Sequence, residues 1–226
     1  MKFFYFFDNF HKNRNPIYLV GIYVFEVEKN MFVCIIGGFL GSGKTTLLMK
    51  IAAQCKQQGM SAAILVNEMG EVGIDGATMK AEGYDAVELP DGCICCSLSG
   101  TLQNALKNID RDIHPDILII EPTGLALPHK VEELVHTSLI DSDYTIIIGI
   151  ADATRFDELM KAKEEFFKRQ LVNSEFILLT KSDIVNKEEV ERISKEIKKI
   201  YPKKDVIPIS SVKGTGLDEV YRRLIK

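Results

Sequence analysis

GGFLGSGKTT, residues 37–46, carries Gly38 and Gly43 around four residues, followed by Lys44 and Thr45. This is the phosphate-loop pattern G-x-x-x-x-G-K-[ST], and each residue type has a physical task. Glycines allow consecutive backbone N–H groups to turn inward and form a nest for phosphate oxygens. Lys44 brings a point charge toward the β- and γ-phosphates, and the Thr45 hydroxyl is a ligand for Mg²⁺. The flanks agree. MFVCIIG, residues 31–37, reads as a buried strand, while Leu47, Leu48, Ile51, Ala52 and Cys55 recur at helical spacing, so a helix N-terminus faces the phosphates. The plain alternative, a Gly-rich turn between strand and helix, explains neither the lysine nor the threonine.

Outward from this stretch, short apolar runs repeat at Phe32–Ile36, Ala62–Val66, Ile117–Ile120, Thr145–Ile150, Phe176–Leu179 and Val206–Ile209. They show little alternation, as expected of parallel strands buried on both faces. Between them lie helical stripes: Leu98, Leu102, Ala105, Leu106 and Ile109; Val131, Leu134, Val135 and Leu139; Val190, Ile193, Ile197 and Ile200; Leu217, Val220, Tyr221 and Leu224. The expected fold is α/β, a doubly wound, mainly parallel sheet of the P-loop NTPase type over residues 31–226. Residues 1–30 differ: they hold six of the twelve Phe and three of the seven Tyr. Met31 directly precedes the first strand, so the expectation is a peripheral N-terminal extension; Ile17–Val27 is the one part of it with the makings of an edge strand.

Charge and cysteine usage narrow the function classes. A net charge of −4 with 27% charged residues implies no general affinity for nucleic acid or for an anionic membrane. No apolar run reaches the ~20 residues of a spanning helix. Five cysteines, three of them within four residues, suit a reducing cytoplasm rather than a disulfide scaffold.

Function in such a sheet collects in the loops after the strands. After the second run comes NEMGEVGIDG, residues 67–76, with Glu68, Glu71 and Asp75, which reads as a switch segment sensing γ-phosphate and metal. EPTG, residues 121–124, places Glu121 at a strand tip to hold Mg²⁺ or its water shell, and Gly124 where backbone must approach the γ-phosphate. Lys44, Glu68 and Glu121 are the candidate catalytic residues. Gly38, Gly41, Ser42, Gly43, Lys44, Thr45, Thr46 and Gly124 are the candidate phosphate contacts. In TKSD, residues 180–183, Asp183 can accept from both N1–H and the amino group of guanine, a donor pair adenine lacks, and Lys181 can lay its stem along the base. Thr180 stands where Asn is commoner. SSVKG, residues 210–214, follows the last strand and resembles the second guanine-contacting loop of GTPases, with Ser211 as its candidate contact, though either piece alone could be an ordinary turn. GTP and GDP are therefore the expected nucleotides.

GCICCSL, residues 92–98, supplies Cys93, Cys95 and Cys96, soft ligands suited to Zn²⁺, Co²⁺ or Cu⁺. Three thiolates leave a fourth position for water, a partner's residue or Glu71. Buried small hydrophobes and a redox thiol pair are the competing readings. His11, His114, His129 and His136 are scattered and carry no site.

GGFLGSGKTT, NEMGEVGID, GCICCS, EPTG and TKSD, in this order, resemble the CobW-type metallochaperone GTPases, relatives of the nickel-inserting GTPases of hydrogenase and urease maturation. The resemblance implies that Lys44, Thr45 and Thr46 handle phosphate and Mg²⁺, and that Glu121 is the Walker B acid. Lys181 and Asp183 would read guanine, and the three cysteines would bind the metal, Zn²⁺ or Co²⁺, for GTP-coupled delivery to a metal-requiring client protein. Members of that family typically continue into a second C-terminal domain, often with a His-rich segment, whereas this sequence ends one helix after SSVKG; client contact would then fall to another chain. No glutamine or arginine finger is evident, so activation by a partner or in a homodimer is expected to be needed for fast turnover. Two other functions compete: a P-loop kinase acting on a small molecule, which would need an Arg-rich lid, and a non-enzymatic metal or redox sensor switched by nucleotide.

Overall fold

The computed structural model describes residues 17–20, 23–26, 31–67, 79, 83–89 and 99–224. Strand β3 (Met31–Gly38) is buried along its whole length and lies between β6 (Ile117–Glu121) and β7 (Ser142–Asp152), parallel to both. Helices cover both faces of the sheet at β3, so every position calls for an apolar side chain, which MFVCII supplies. Its alternation sorts the core into two layers. Phe32, Cys34 and Ile36 pack with Leu47, Leu48 and Ile51 of helix α1 (Lys44–Gln57) and with Leu217, Val220 and Leu224 of the last helix, α6 (Leu217–Leu224). Met31, Val33 and Ile35 face the opposite side, against Leu102, Leu106 and Ile109 of α2 (Ser99–Asp112) and Val131 and Val135 of α3 (Pro128–Thr137).

Seven strands form the sheet in the order β5 (Asp85–Leu89), β4 (Ala62–Asn67), β6, β3, β7, β8 (Phe176–Thr180), β9 (Asp205–Pro208), and every pairing is parallel. From the central β3 the chain builds β4 to β6 on one side and β7 to β9 on the other. The loops at the carboxyl end therefore diverge at β3, the switch point where open α/β sheets bind ligands. The expected doubly wound fold is present, with helices on both faces.

Three elements depart from the sequence expectation. The edge strand β5, DAVEL, has too few apolar residues to stand out beside the central runs. Helix α4 (Phe156–Leu171) also has a diluted stripe: Phe156 and Leu159 are buried at one end, and Phe167, Gln170 and Leu171 at the other, with the exposed run 161–165 and a non-helical Lys163 between them. Leu139, expected on the stripe of α3, is instead 88% exposed with a left-handed φ of 56°. The helix ends at Thr137, with Ser138 as its C-cap, and in its last turn the Thr137 and Ser138 hydroxyls donate to the carbonyls of Glu133 and Val135. Helix α5 (Lys187–Ile200) starts on a side-chain cap, Asn186 accepting from the Glu189 N–H at 2.8 Å.

Strands β1 (Ile17–Val20) and β2 (Tyr23–Glu26) pair antiparallel with each other in a separate two-stranded sheet, so neither is an edge strand of the large one. No helix among the described residues is long and apolar enough to cross a membrane.

Candidate nucleotide site

The loop from Gly38 to Gly43 closes over the N-terminus of α1 because two of its glycines take left-handed backbone, φ 75° at Gly41 and 94° at Gly43. Side chains there would be strained, and without them the N–H groups can point inward. At Gly38 the constraint is space: a Cβ would come within 3.0 Å of both Ser42 Oγ and the Ile150 side chain. Lys44 and Thr45 open α1, with Lys44 buried and Thr45 half-buried; Thr46 beside them is exposed.

Glu121, at the tip of β6, reaches the same point from the neighbouring strand. Its Oε1 accepts from Thr45 Oγ1 at 3.0 Å and lies 3.8 Å from Lys44 Nζ, which also donates to the Phe39 carbonyl at 3.2 Å. Burial pushes the Lys44 ammonium below its usual range, with Glu121 pulling the other way. Burial pushes the Glu121 carboxyl up, opposed by Lys44 and the Thr45 hydrogen bond. Such a pair, desolvated and only partly compensated, favours an incoming charge of either sign. Three buried polar atoms around it have no hydrogen-bond partner among the described residues: Ser42 Oγ, Glu121 Oε2 and Thr123 Oγ1. Orphaned buried oxygens are rare enough to require an explanation. A carboxylate oxygen free beside a Thr hydroxyl fits a hard cation such as Mg²⁺, and Ser42 fits a phosphate oxygen.

Gly124 sits where the loop after β6 presses on the phosphate loop. A Cβ there would come within 2.5 Å of the Leu40 backbone nitrogen, so only glycine permits this approach. At the other end of the site, Thr180 Oγ1 donates to the Ser42 carbonyl at 2.8 Å, and Lys181 Nζ donates to the Gly41 carbonyl at 2.8 Å. The segment that would read the base is thereby tied to the one that holds phosphate. Asp183 is held below the usual carboxylate range, chiefly by a hydrogen bond from Ser210, with its backbone and Lys213 3.8 Å away assisting against burial.

Four residues that the sequence did not single out contribute here. Asp152, 2% exposed at the tip of β7, pairs with Lys181 Nζ at 2.7 Å and accepts from Thr154 N–H and Oγ1. A carboxylate ending the run IIIGIAD was a legible signal, the same one that marked Glu121. Ser210 meets Asp183, while the candidate Ser211 follows it, half-buried. Arg155 Nη1 donates to the Leu40 carbonyl at 3.2 Å, and Gln170 Nε2 donates to the carbonyls of Ala126 at 2.9 Å and Gly124 at 3.4 Å. No local pattern announces either.

Glu68, Glu71, Asp75, Cys93, Cys95 and Cys96 lie outside the described residues. Cys34 and Cys55 are buried and form no disulfide, and burial drives the Cys34 thiol well above its usual range, which makes it a poor metal ligand. Among the described residues no group of His, Cys, Asp or Glu side chains is placed to hold a metal by itself.

A parallel sheet whose central strand delivers a phosphate loop, with a carboxylate at the tip of the next strand, defines a phosphate-loop nucleotide-binding domain. The family profile described as the CobW/HypB/UreG nucleotide-binding domain matches residues 32–208. The chain belongs to that family. It is 38% identical over 151 residues to the zinc chaperone YeiR of Escherichia coli, covering 66% of this chain and 46% of that protein. It is 34% identical over 190 residues to the zinc chaperone YjiA of the same organism, covering 79% and 57%. The chain thus spans about half the length of the curated relatives it matches. Among solved structures, the hydrogenase maturation factor HypB of Archaeoglobus fulgidus superposes with a TM-score of 0.64 at 19% identity, over 87% of this chain and 90% of that one, a likeness of fold. The Zn(II)-bound YjiA GTPase of E. coli gives 0.50 at 27% identity, over 73% and 54%.

Proposed function

We propose that this chain is the GTP-hydrolysing domain of a metallochaperone. It binds a transition metal, Zn²⁺ or Co²⁺, through Cys93, Cys95 and Cys96, and couples transfer of that metal to a client protein to GTP hydrolysis in a reducing cytoplasm. The observation that carries the nucleotide half is the convergence of Lys44, Thr45 and Glu121, with orphaned oxygens around them, two strands away from Asp183. Supporting the metal half are the thiolates in the sequence and the zinc chaperones among the relatives.

In this reading Asp183 accepts from the two guanine donors, and Lys181, fixed by Asp152 and the Gly41 carbonyl, flanks the base. The N–H groups of residues 41–46 cradle the α- and β-phosphates at the start of α1. Thr45 Oγ1 and Glu121 would hold Mg²⁺, which when bound neutralises phosphate charge. Lys44 swings from the Phe39 carbonyl to the β- and γ-phosphates, and the Gly124 backbone meets the γ-phosphate. Hydrolysis forms a bond from a water oxygen to the γ-phosphorus and breaks the bond to the β–γ bridging oxygen, giving GDP, phosphate and a proton. Glu68 is the candidate to orient that water. GTP hydrolysis measured with Zn²⁺, Co²⁺ and Ni²⁺ each present and absent tests the assignment. Turnover that responds to Zn²⁺ or Co²⁺ is expected; a phosphorylated small-molecule product, or no turnover under any condition, would contradict it.

A further inference from the structure

Gln170 is the one uncharged polar side chain of α4, and at 2% exposed it is buried against the loop after β6. Its Nε2 forks between the carbonyls of Ala126 and Gly124, at 2.9 and 3.4 Å, across more than forty residues of chain. Both targets are acceptors, so the amide nitrogen must face them, and its two hydrogens match two carbonyls. Its Oε1 is left buried without a partner among the described residues. A core that only needed filling would not retain an amide at the cost of an orphaned oxygen.

The position of those carbonyls matters because Gly124 is pressed against the phosphate loop from the front, its Cβ position only 2.5 Å from Leu40 N. Gln170 holds the carbonyl of the same residue. Sheet order says which part of a ligand this affects. The base-reading loop follows β8, the phosphate loop follows β3, and the Gly124 turn follows β6 on the far side of β3. A nucleotide with its base near β8 and its proximal phosphates over α1 reaches the Gly124 turn only with its last phosphate. Helix α4 is also joined to the phosphate loop itself: Phe39 packs against Phe166 and Phe167, at 5.4 and 6.1 Å between ring centroids, and Arg155 holds the Leu40 carbonyl.

We infer that Gln170 is a positioning residue for the terminal phosphate, holding the Gly124 turn in the posture that distinguishes a nucleoside triphosphate from a diphosphate. The inference rests on the nucleotide reading above. The 2.9 Å bond to Ala126 anchors the turn, and the longer one to Gly124 tightens when the γ-phosphate draws that residue into place.

The test is a titration of the full chain and of Gln170→Met with GDP and with a non-hydrolysable GTP analogue, alongside thermal melting. Methionine keeps the length and volume but removes both donors. The analogue should bind about tenfold more weakly, the effect of one to two lost hydrogen bonds, while GDP affinity stays within about twofold. Gln170→Asn, which keeps the amide but withdraws it by one methylene, should show the same selective loss and guards against a Met variant that does not fold. Equal loss of both nucleotides with a lowered melting temperature would make Gln170 a packing residue and overturn the inference, as would an unchanged ratio of the two affinities. A parent chain that binds neither nucleotide would instead refute the nucleotide reading itself, and the inference with it.

Discussion

Asp183 and Glu121 are the two carboxylates on which the account depends, and their surroundings tune them in opposite directions. The hydrogen bond from Ser210 keeps Asp183 ionised, so that it presents only acceptors. Asp183→Asn substitutes a donor for one acceptor. It should weaken GDP binding by about 10- to 100-fold, as for a lost charge-assisted hydrogen bond, and improve binding of xanthosine diphosphate, whose edge carries the matching acceptor. Competition between the two diphosphates on parent and variant measures this. Glu121 is raised by burial. A group raised on folding contributes stability that is fully present below its unfolded pKa, about 4.3, and that is lost as pH rises through the folded value. Nucleotide-free protein should therefore lose melting temperature relative to Glu121→Gln as pH climbs from about 4.3 through the folded value; a difference that widens in favour of the parent would contradict the assignment. At this scale most of the site was legible. Gly-x-x-x-x-Gly-Lys-Thr, Glu121 and Asp183 announce themselves because their chemistry demands fixed spacing within a few residues. Arg155 and Gln170 did not, because they act on backbone carbonyls far away in sequence, and that pairing exists only once α4 has packed.

Elements place these residues by close contact between β3, the loop after β6, and helices α3 and α4. Gly37 shows how tight the contact is: a Cβ there would overlap the Pro128 ring at the start of α3. Proline is rigid, so relief requires the helix to move. Gly37→Ala should destabilise the fold by about 1–3 kcal/mol, the usual range for overpacking, which chemical denaturation would reveal as a lower midpoint with an unchanged slope. An unchanged midpoint would mean that α3 gives way freely. The five inner strands were legible from their unbroken apolar runs, since parallel strands covered on both faces leave little room for polar residues, and the edge strand β9 was legible from the short run Val206–Ile209. The edge strand β5 needs apolar residues on fewer sides, and α4 divides its apolar contacts between two ends around Lys163, so neither has the period that betrays an element. Leu139 misled for a different reason: its spacing fitted α3, but the helix ends at Thr137 and the chain turns left-handed at Leu139.

For the whole molecule, no strand of the seven-stranded sheet pairs with β1 or β2. A chain beginning at Met31 should keep its melting temperature within a few degrees and its GDP affinity unchanged; a larger loss would show that the preceding residues staple the domain. Control of a metal site by nucleotide state, as proposed, would involve the loops at the β5–β4 edge of this sheet. The cysteines lie in the connection from β5 to α2, and Glu68, Glu71 and Asp75 lie after β4, next to β6 in the sheet. A γ-phosphate that orders the acidic segment can set its distance to the thiolates, and linkage then requires metal and triphosphate to tighten each other by one common factor, typically about 5- to 150-fold. The most direct measurement is Zn²⁺ affinity, by competition with a chromogenic chelator, of the chain saturated with a non-hydrolysable GTP analogue and of the chain saturated with GDP. Tighter binding in the triphosphate state, with the difference abolished by Cys95→Ala, is the predicted result; equal affinity in the two states would contradict GTP-coupled delivery.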